Sequence, residues 1–414
     1  MMNGRQTVRN ARDLAEVLRT ATRPVEIVIE GSVEGVPPLT LPEGVSLVGA
    51  GGGAALVFDG TDGVRLTRDN RVEGLRLETA PTARALLNDT SVSGFGTLEL
   101  REVVTVGRVE LLARDQVSSG HVLVTGLDIE AADARECRPR PEGYNVEVRQ
   151  GAFTLYNQRS DSSAVITCEL TGISAGREGA PVRGSGIFVS GTPGGGRVSG
   201  DRLHTGPVFS DGGIPAGTPD QITGGVFVVY ASFGEVVNEG PVTTYGVNDM
   251  VLDLWGEVTT WTAHAPITSH GPSGIGFVNF GTIRRLTLRA PVETFGTGAR
   301  GFNVYDGTVE RAEFDRVVTH ADAAVGIQLS KPIGDLIVHG GIETHGGSGD
   351  SLVKGEIVTL PAVPLSLKPG SRARRIRIDS GITARGAGVP VMEISGSIEE
   401  FAVNGPIRSA AARA

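Results

Sequence analysis

Short runs of alternating apolar and polar residues, split by Gly-rich turns, fill most of the chain. Ile283–Leu288 (IRRLTL) is one such run, and Val251–Trp255 (VLDLW) is another. A period of two marks strands, and no stretch between residues 25 and 409 carries a helical period. The runs also recur. Pro241–Gly246 (PVTTYG) returns as Pro266–Gly271 (PITSHG) and Pro291–Gly296 (PVETFG). Weaker copies start at Arg316, Gly341, Gly381 and Pro406, and the steps are 25, 25, 25, 25, 40 and 25 residues. Fainter copies lie upstream near Arg76, Glu102, Asp128, Gly172 and Pro207.

A 25-residue unit of three short strands cannot bury its own apolar face. Stacking units solves this, because each strand then pairs with its counterpart ~4.8 Å away in the next turn. The pattern therefore predicts an all-β fold, a single-stranded parallel β-helix with three short strands per rung. It predicts one domain over residues 1–414, with insertions at 134–165, 174–185, 210–223 and 355–373. Alternation assigns the faces. In the first strand Phe227, Leu252, Phe277, Phe302 and Ile327 form one inward row, and Val229, Leu254, Asn279, Val304 and Leu329 the next. In the third strand Thr244, Ser269, Thr294, Thr319 and Thr344 form an inward hydroxyl row.

Ahead of the first repeats, Thr7–Thr22 is amphipathic, with Val8, Leu14, Val17 and Leu18 on one side. A capping helix is predicted there, over 7–22, covering an edge that would otherwise invite aggregation. Val25–Gly31 (VEIVIEG) and Leu39–Gly51 (LTLPEGVSLVGAG) follow. This order resembles the opening of right-handed parallel β-helix proteins of the pectate-lyase-like superfamily. The resemblance implies architecture and not an activity. The calcium-binding Asp set and catalytic Arg signature of pectate lyases are absent, as is the paired-Asp signature of polygalacturonases.

Composition agrees with a coil of tight turns. The chain has 414 residues, of which 60 are Gly, placed by this reading at the turns. Two Cys exclude a disulfide scaffold, and they lack metal-site spacing. No cofactor or metal is expected. The net charge of −9 argues against a nucleic-acid partner. The start of the sequence shows no signal peptide and no apolar run spans a bilayer, so a cytoplasmic protein with no membrane contact is expected.

Candidate chemistry lies where the repeat is least ordinary. Facing outward from the first strand are two rows: Val228, Asp253, Val278, Asn303, Gln328, and Tyr230, Trp255, Phe280, Tyr305, Ser330. Aromatic residues are 5% of the chain, so four at successive turns stand out, and sugar rings stack on such faces. The turn after the third strand carries Tyr245, His270, Phe295, His320, His345 and Arg385. Two insertions, 174–185 and 210–223, fall in that turn and supply Arg177, Glu178, Arg183, Asp211 and Asp220. These features point to a carbohydrate-active protein, a glycoside hydrolase or polysaccharide lyase, with an oligo- or polysaccharide along the first-strand groove. Candidate catalytic residues are Asp253, Asp211, His270 and Asp306, acting as an acid–base pair or, for His270, as a base. Candidate substrate-binding residues are Tyr230, Trp255, Tyr305, Asn303, Arg300, Lys331 and Arg183, the last three able to neutralise a uronate. The reading requires the stripe to be open and a cleft to reach Asp253. The rival reading is a non-catalytic structural or binding solenoid, in which the stripe is the interface of a homo-oligomer such as a trimer.

Overall fold

The computed structural model describes residues 4–21, 24–353 and 356–410. It is all-β, 59% strand and 2% helix, and its strands stack in long parallel ladders, as in a β-helix solenoid. No helix among the described residues is long and apolar enough to cross a membrane. The chain divides into two compact units, Met1–Glu136 with Gln150–Gly206, and Cys137–Arg149 with Pro207–Ala414.

In the first unit Gly4–Val8 pairs with Val25–Ile29, which pairs with Ser46–Gly49, which pairs with Arg71–Glu73, all parallel. Helix Ala11–Thr20 follows the first of these strands. It starts later than the amphipathic pattern suggests. Thr7 and Val8 are drawn into the strand, opposite Val28 and Ile29, and Asn10 caps the helix by accepting from Asp13 N–H at 2.9 Å. Leu14 is its buried contact, and Thr22 lies outside the described residues. Within the expected insertion 134–165, Gly151–Asn157 is a regular rung strand between Arg108–Ala113 and Ser185–Ser190. The upstream repeats slip as well. Arg76 pairs with Val104 rather than Glu102, and Glu102 sits with positive φ between pairs Arg101–Thr125 and Val103–Leu127, where the strand turns a corner.

In the second unit the repeat becomes three ladders. The third-strand segments Val242–Thr244, Ile267–Ser269, Val292–Thr294, Val317–Thr319, Ile342–Thr344, Ile382–Ala384 and Ile407–Ser409 pair in sequence. Their inward Thr and Ser are fully buried from Thr244 to Thr344. Thr244 donates to Ser269 Oγ at 3.4 Å within the row, whereas Thr319 and Thr344 donate to the carbonyls of Ala324 and Ala362 and tie strand to turn. The 40-residue step holds an antiparallel hairpin, Ser348–Val353 with Glu356–Pro361, and a rung strand, Leu365–Leu367; Gly355 lies outside the described residues. Trp261, Phe277, Phe302 and Phe314 make a continuous buried ring cluster, with centroids 4.9–6.0 Å apart.

Two features of the first strand differ from the sequence reading. The inward rows hold from Leu252 onward, but Val226 pairs with Leu252, Phe227 with Asp253 and Val228 with Leu254. Phe227 and Val229 are thus one residue out of their assigned slots. Ser232 pairs with Glu257 at the normal spacing, so the extra residue is absorbed beside Tyr230, whose φ is +49°. Glycines also sit inside the strands and not only at turns. A Cβ on Gly276 or Gly301 would overlap the Cγ1 of Val292 or Val317 from the third strand. Each glycine lets two strands close on one another. The residues before them, Ile275 and Arg300, line the outer face.

The turn between the first and third ladders is fixed by Asp249, which is fully buried. It accepts from Gly246 N–H at 2.7 Å, Gly212 N–H at 3.3 Å and Thr223 Oγ1 at 3.3 Å. Burial raises its pKa to about 7, with nearby Asp211 adding and the three hydrogen bonds opposing. The folded value lies above the ordinary carboxylate value. Stability from this group is therefore full below pH ~4 and is lost as pH rises through about 7. Asn can keep the same bonds, with Oδ1 facing the two N–H groups and Nδ2 donating to Thr223. Asp249→Asn is expected to flatten the pH dependence of unfolding by about 2–3 kcal/mol between pH 5 and pH 8. Urea titrations of both proteins at the two pH values check this. Equal slopes with pH would show that Asp249 is charged in the folded state at no cost.

Candidate functional site

The aromatic stripe exists as a column of ring contacts. Trp255 meets Tyr230 at 5.7 Å and Phe280 at 5.5 Å, and Phe280 stacks on Tyr305 at 5.3 Å and 12°. The rungs set this spacing, because residues in register are one strand separation apart. The column is partly covered by the segment Cys137–Arg149 of the same unit.

This segment is a small hairpin anchored edge-on. Glu142–Gly143 pairs antiparallel with Val146–Val148, which continues parallel to Gln221 and Ile222. Arg149 locks its end, donating to Gly212 O at 2.9 Å and to Gln221 Oε1 at 2.7 Å. Tyr144 and Asn145 form the tip with positive φ. The Tyr144 ring then lies on Phe280 at 4.4 Å and against the Trp255 edge at 5.1 Å, and its hydroxyl donates to Phe280 O at 3.3 Å. Tyr230 donates to Glu142 O at 3.1 Å. Trp255 is consequently buried, at 4% exposure, while Tyr144 keeps 44%.

Beside this hairpin opens a cavity of about 430 Å³. Its rings are Tyr144, Phe280 and Tyr305, its aliphatic floor includes Ile275 and Val278, and its charged residues are Arg300, Asp306, Lys331 and Asp220. Lys331 Nζ is 3.1 Å from Asp306 Oδ1. Burial raises the Asp306 pKa, but the hydrogen bond and charge of Lys331 and the Gly307 N–H outweigh it, and the net shift is downward. Burial, together with the charges of Asp306 and Asp253, holds the Tyr144 phenol above its ordinary value, so it remains a donor. Arg300 is 1% exposed; it donates to Gly298 O at 3.0 Å and to Ser351 Oγ at 3.3 Å.

Of the residues singled out in the sequence, the cavity gathers Tyr305, Arg300, Asp306 and Lys331. Others lie elsewhere. Tyr230 and Trp255 are under the hairpin, and Trp255 is closed off from solvent. Asp253 and Asn303 do point to the outer side of the strand, in one row with Val278, but both are fully buried and no cleft reaches Asp253. Asp253 makes no well-aligned hydrogen bond, with only the Trp255 indole N–H nearby, and neither amide atom of Asn303 has a partner. Burial pushes the Asp253 carboxyl well above the ordinary range, against a smaller opposing effect from Trp255. Asp211 flanks Gly246 beside Asp249 and accepts from Gly213 N–H at 2.9 Å. Arg183 belongs to the first unit, in a bridge with Asp133, and Arg177 pairs there with Asp128 at 2.7 Å. His270 is sandwiched between Tyr245 and Phe295 at 5.2 and 5.0 Å. The stack continues through His320 and His345, with Glu293 and Glu343 alongside. No His lines the cavity, and no cluster among the described residues has the make-up of a metal site.

Tyr144 is the site residue that repeat analysis does not find. It sits in an insertion with no counterpart in other rungs, so no row points to it. The only signal is that an insertion interrupts a regular count near the aromatic stripe.

Comparison of the chain with protein-family models, with curated proteins and with solved structures finds no match.

Proposed function

We propose that the second unit binds a saccharide in the cavity between Tyr144, Phe280 and Tyr305. The observation that carries this reading is the near-parallel Phe280–Tyr305 pair, 12° between planes, forming one wall of an open cavity of about 430 Å³. Tyr144 and Tyr305 both stack on Phe280, so an apolar sugar face packs on the ring surface that Tyr144 and Tyr305 leave open, and a few polar groups at one end orient the hydroxyls. Asp306, Lys331 and Asp220 are those groups. The broader reading is a glycoside hydrolase or polysaccharide lyase of the pectate-lyase-like type. Its catalytic half requires a cleft at Asp253, which this fold does not offer, so the cavity supports the binding half alone. Asp306 is held ionised by Lys331, which suits orientation more than proton donation, and Asp253 and His270 do not line the cavity.

Tyr305→Ala removes one of the two stacked rings without touching the inward rows. It is expected to weaken binding of the best glycan by about 10- to 50-fold, as burying one aromatic face is worth roughly 1.5–2.5 kcal/mol. Calorimetry on hits from a panel of neutral and acidic oligosaccharides measures this. If the intact protein binds no glycan, or the variant binds as well, the reading fails. Light scattering on the same samples tests the interface alternative, which predicts an oligomer that Tyr305→Ala breaks.

A further inference from the structure

We infer that Arg300 is the anchor of an oxyanion site, and that the ligand of this cavity carries a compact anionic group such as a carboxylate, sulfate or phosphate. The inference rests on reading the cavity as a ligand site, and it does not require the ligand to be a saccharide.

The argument starts from an unbalanced charge. The Arg300 guanidinium is 99% removed from solvent, yet no carboxylate among the described residues pairs with it. Its two hydrogen bonds go to neutral acceptors, Gly298 O and Ser351 Oγ, and Nε–H has no acceptor. The acidic residues of the cavity do not supply the missing charge. Asp306 is matched by Lys331 at 3.1 Å, and Asp220 stands exposed at the rim. A buried, unpaired cation is a cost that folded proteins carry where a ligand relieves it, since guanidinium cannot shed its proton.

The fold places this charge on purpose-built geometry. Arg300 occupies the row that holds Ile275 in the rung before and Val325 in the rung after. Both neighbours are apolar and buried, so the guanidinium is the one charged group in that local row. Gly301, next in sequence, has no room for a side chain, because a Cβ there would overlap Val317 Cγ1. Gly298, with φ of +68°, and the hairpin residue Ser351 hold the guanidinium from two sides. Arg300 is itself one of the residues that line the cavity. A planar fork fixed this way suits an oxyanion, which accepts two parallel N–H groups.

The test compares three probes, D-galactose, D-galacturonate and inorganic sulfate, on the full chain and on Arg300→Gln and Arg300→Lys. Thermal shift and calorimetry are the readouts. Galacturonate or sulfate is expected to raise Tm of the wild-type chain, and galacturonate is expected to bind about 10- to 100-fold more tightly than galactose. Arg300→Gln should lose that preference, and its ligand-free Tm should equal or exceed wild type because the uncompensated charge is gone. Arg300→Lys should retain only part of the preference, as it lacks the fork. Sulfate binding without any sugar binding would sink the saccharide reading and leave the oxyanion site standing. Galactose and galacturonate binding equally, or an anion effect that persists in Arg300→Gln, would overturn the oxyanion site while leaving the saccharide reading intact. A fall in ligand-free Tm on Arg300→Gln, with no anion response in the wild type, would show Arg300 to be structural.

Discussion

Asp253→Val is expected to stabilise the second unit by about 1–3 kcal/mol at pH 8, the order of cost for a buried polar group without partners. Asp253 is 0% exposed and makes no well-aligned hydrogen bond, the neighbouring Trp255 indole N–H offsetting only a small part of the burial. Its neighbours along the row are Phe227 and Val278, which suit a β-branched apolar side chain of similar size. Burial raises the carboxyl pKa, so its contribution to stability is greatest at acid pH and is lost as pH rises toward the raised value. The gain from valine should accordingly be larger at pH 8 than at pH 5. Denaturant unfolding at both values measures it. A Val variant that unfolds more easily at pH 8 would mean that the carboxylate has a partner and a use.

The hairpin over the stripe gives the second large effect. Gly143 packs directly on the aromatic column, and a Cβ there would overlap the Tyr230 hydroxyl and lie 2.5 Å from Trp255 Cζ3. Both ring systems are held by the ladder beneath, so the hairpin must lift. Gly143→Val should therefore displace Tyr144 from Phe280, remove one wall of the cavity and weaken ligand binding by about tenfold or more. The rungs do not depend on the hairpin, so cooperative unfolding should persist. Under excitation selective for tryptophan only Trp255 and Trp261 emit, and Trp261 is enclosed in the core, so a red shift of emission would report on Trp255. Unchanged emission together with unchanged binding would mean that the hairpin adapts and does not define the cavity.

Much of the architecture was legible in one dimension. The 25-residue recurrence becomes a parallel ladder from Val242 to Ser409, with each predicted third-strand segment opposite the next. Inward rows from Leu252 onward are also as alternation assigns them. The errors have local causes. A single extra residue at Tyr230 moves Phe227 by one slot, and in a strand one slot is a change of face. Glycine counts suggest turns, but Gly276 and Gly301 serve close approach between strands, which depends on what stands opposite.

The sequence by itself determined the repeat, the strand faces and the column of aromatic rings, because stacking in register turns spacing along the chain directly into neighbourhood in space. Only the tertiary structure decided which part of that column is a site. Tyr144 and its hairpin come from a non-repeating insertion whose landing place no period encodes. That landing seals Trp255, leaves Phe280 and Tyr305 as a wall, and ends the cavity at Arg300, Asp306 and Lys331. Likewise, Asp253 is an ordinary outward charge in the sequence, and Arg300 is one candidate ligand-binding charge among several. Burial without a matching charge is what distinguishes them, and burial is a property of everything packed around a residue, set by contacts between distant parts of the chain.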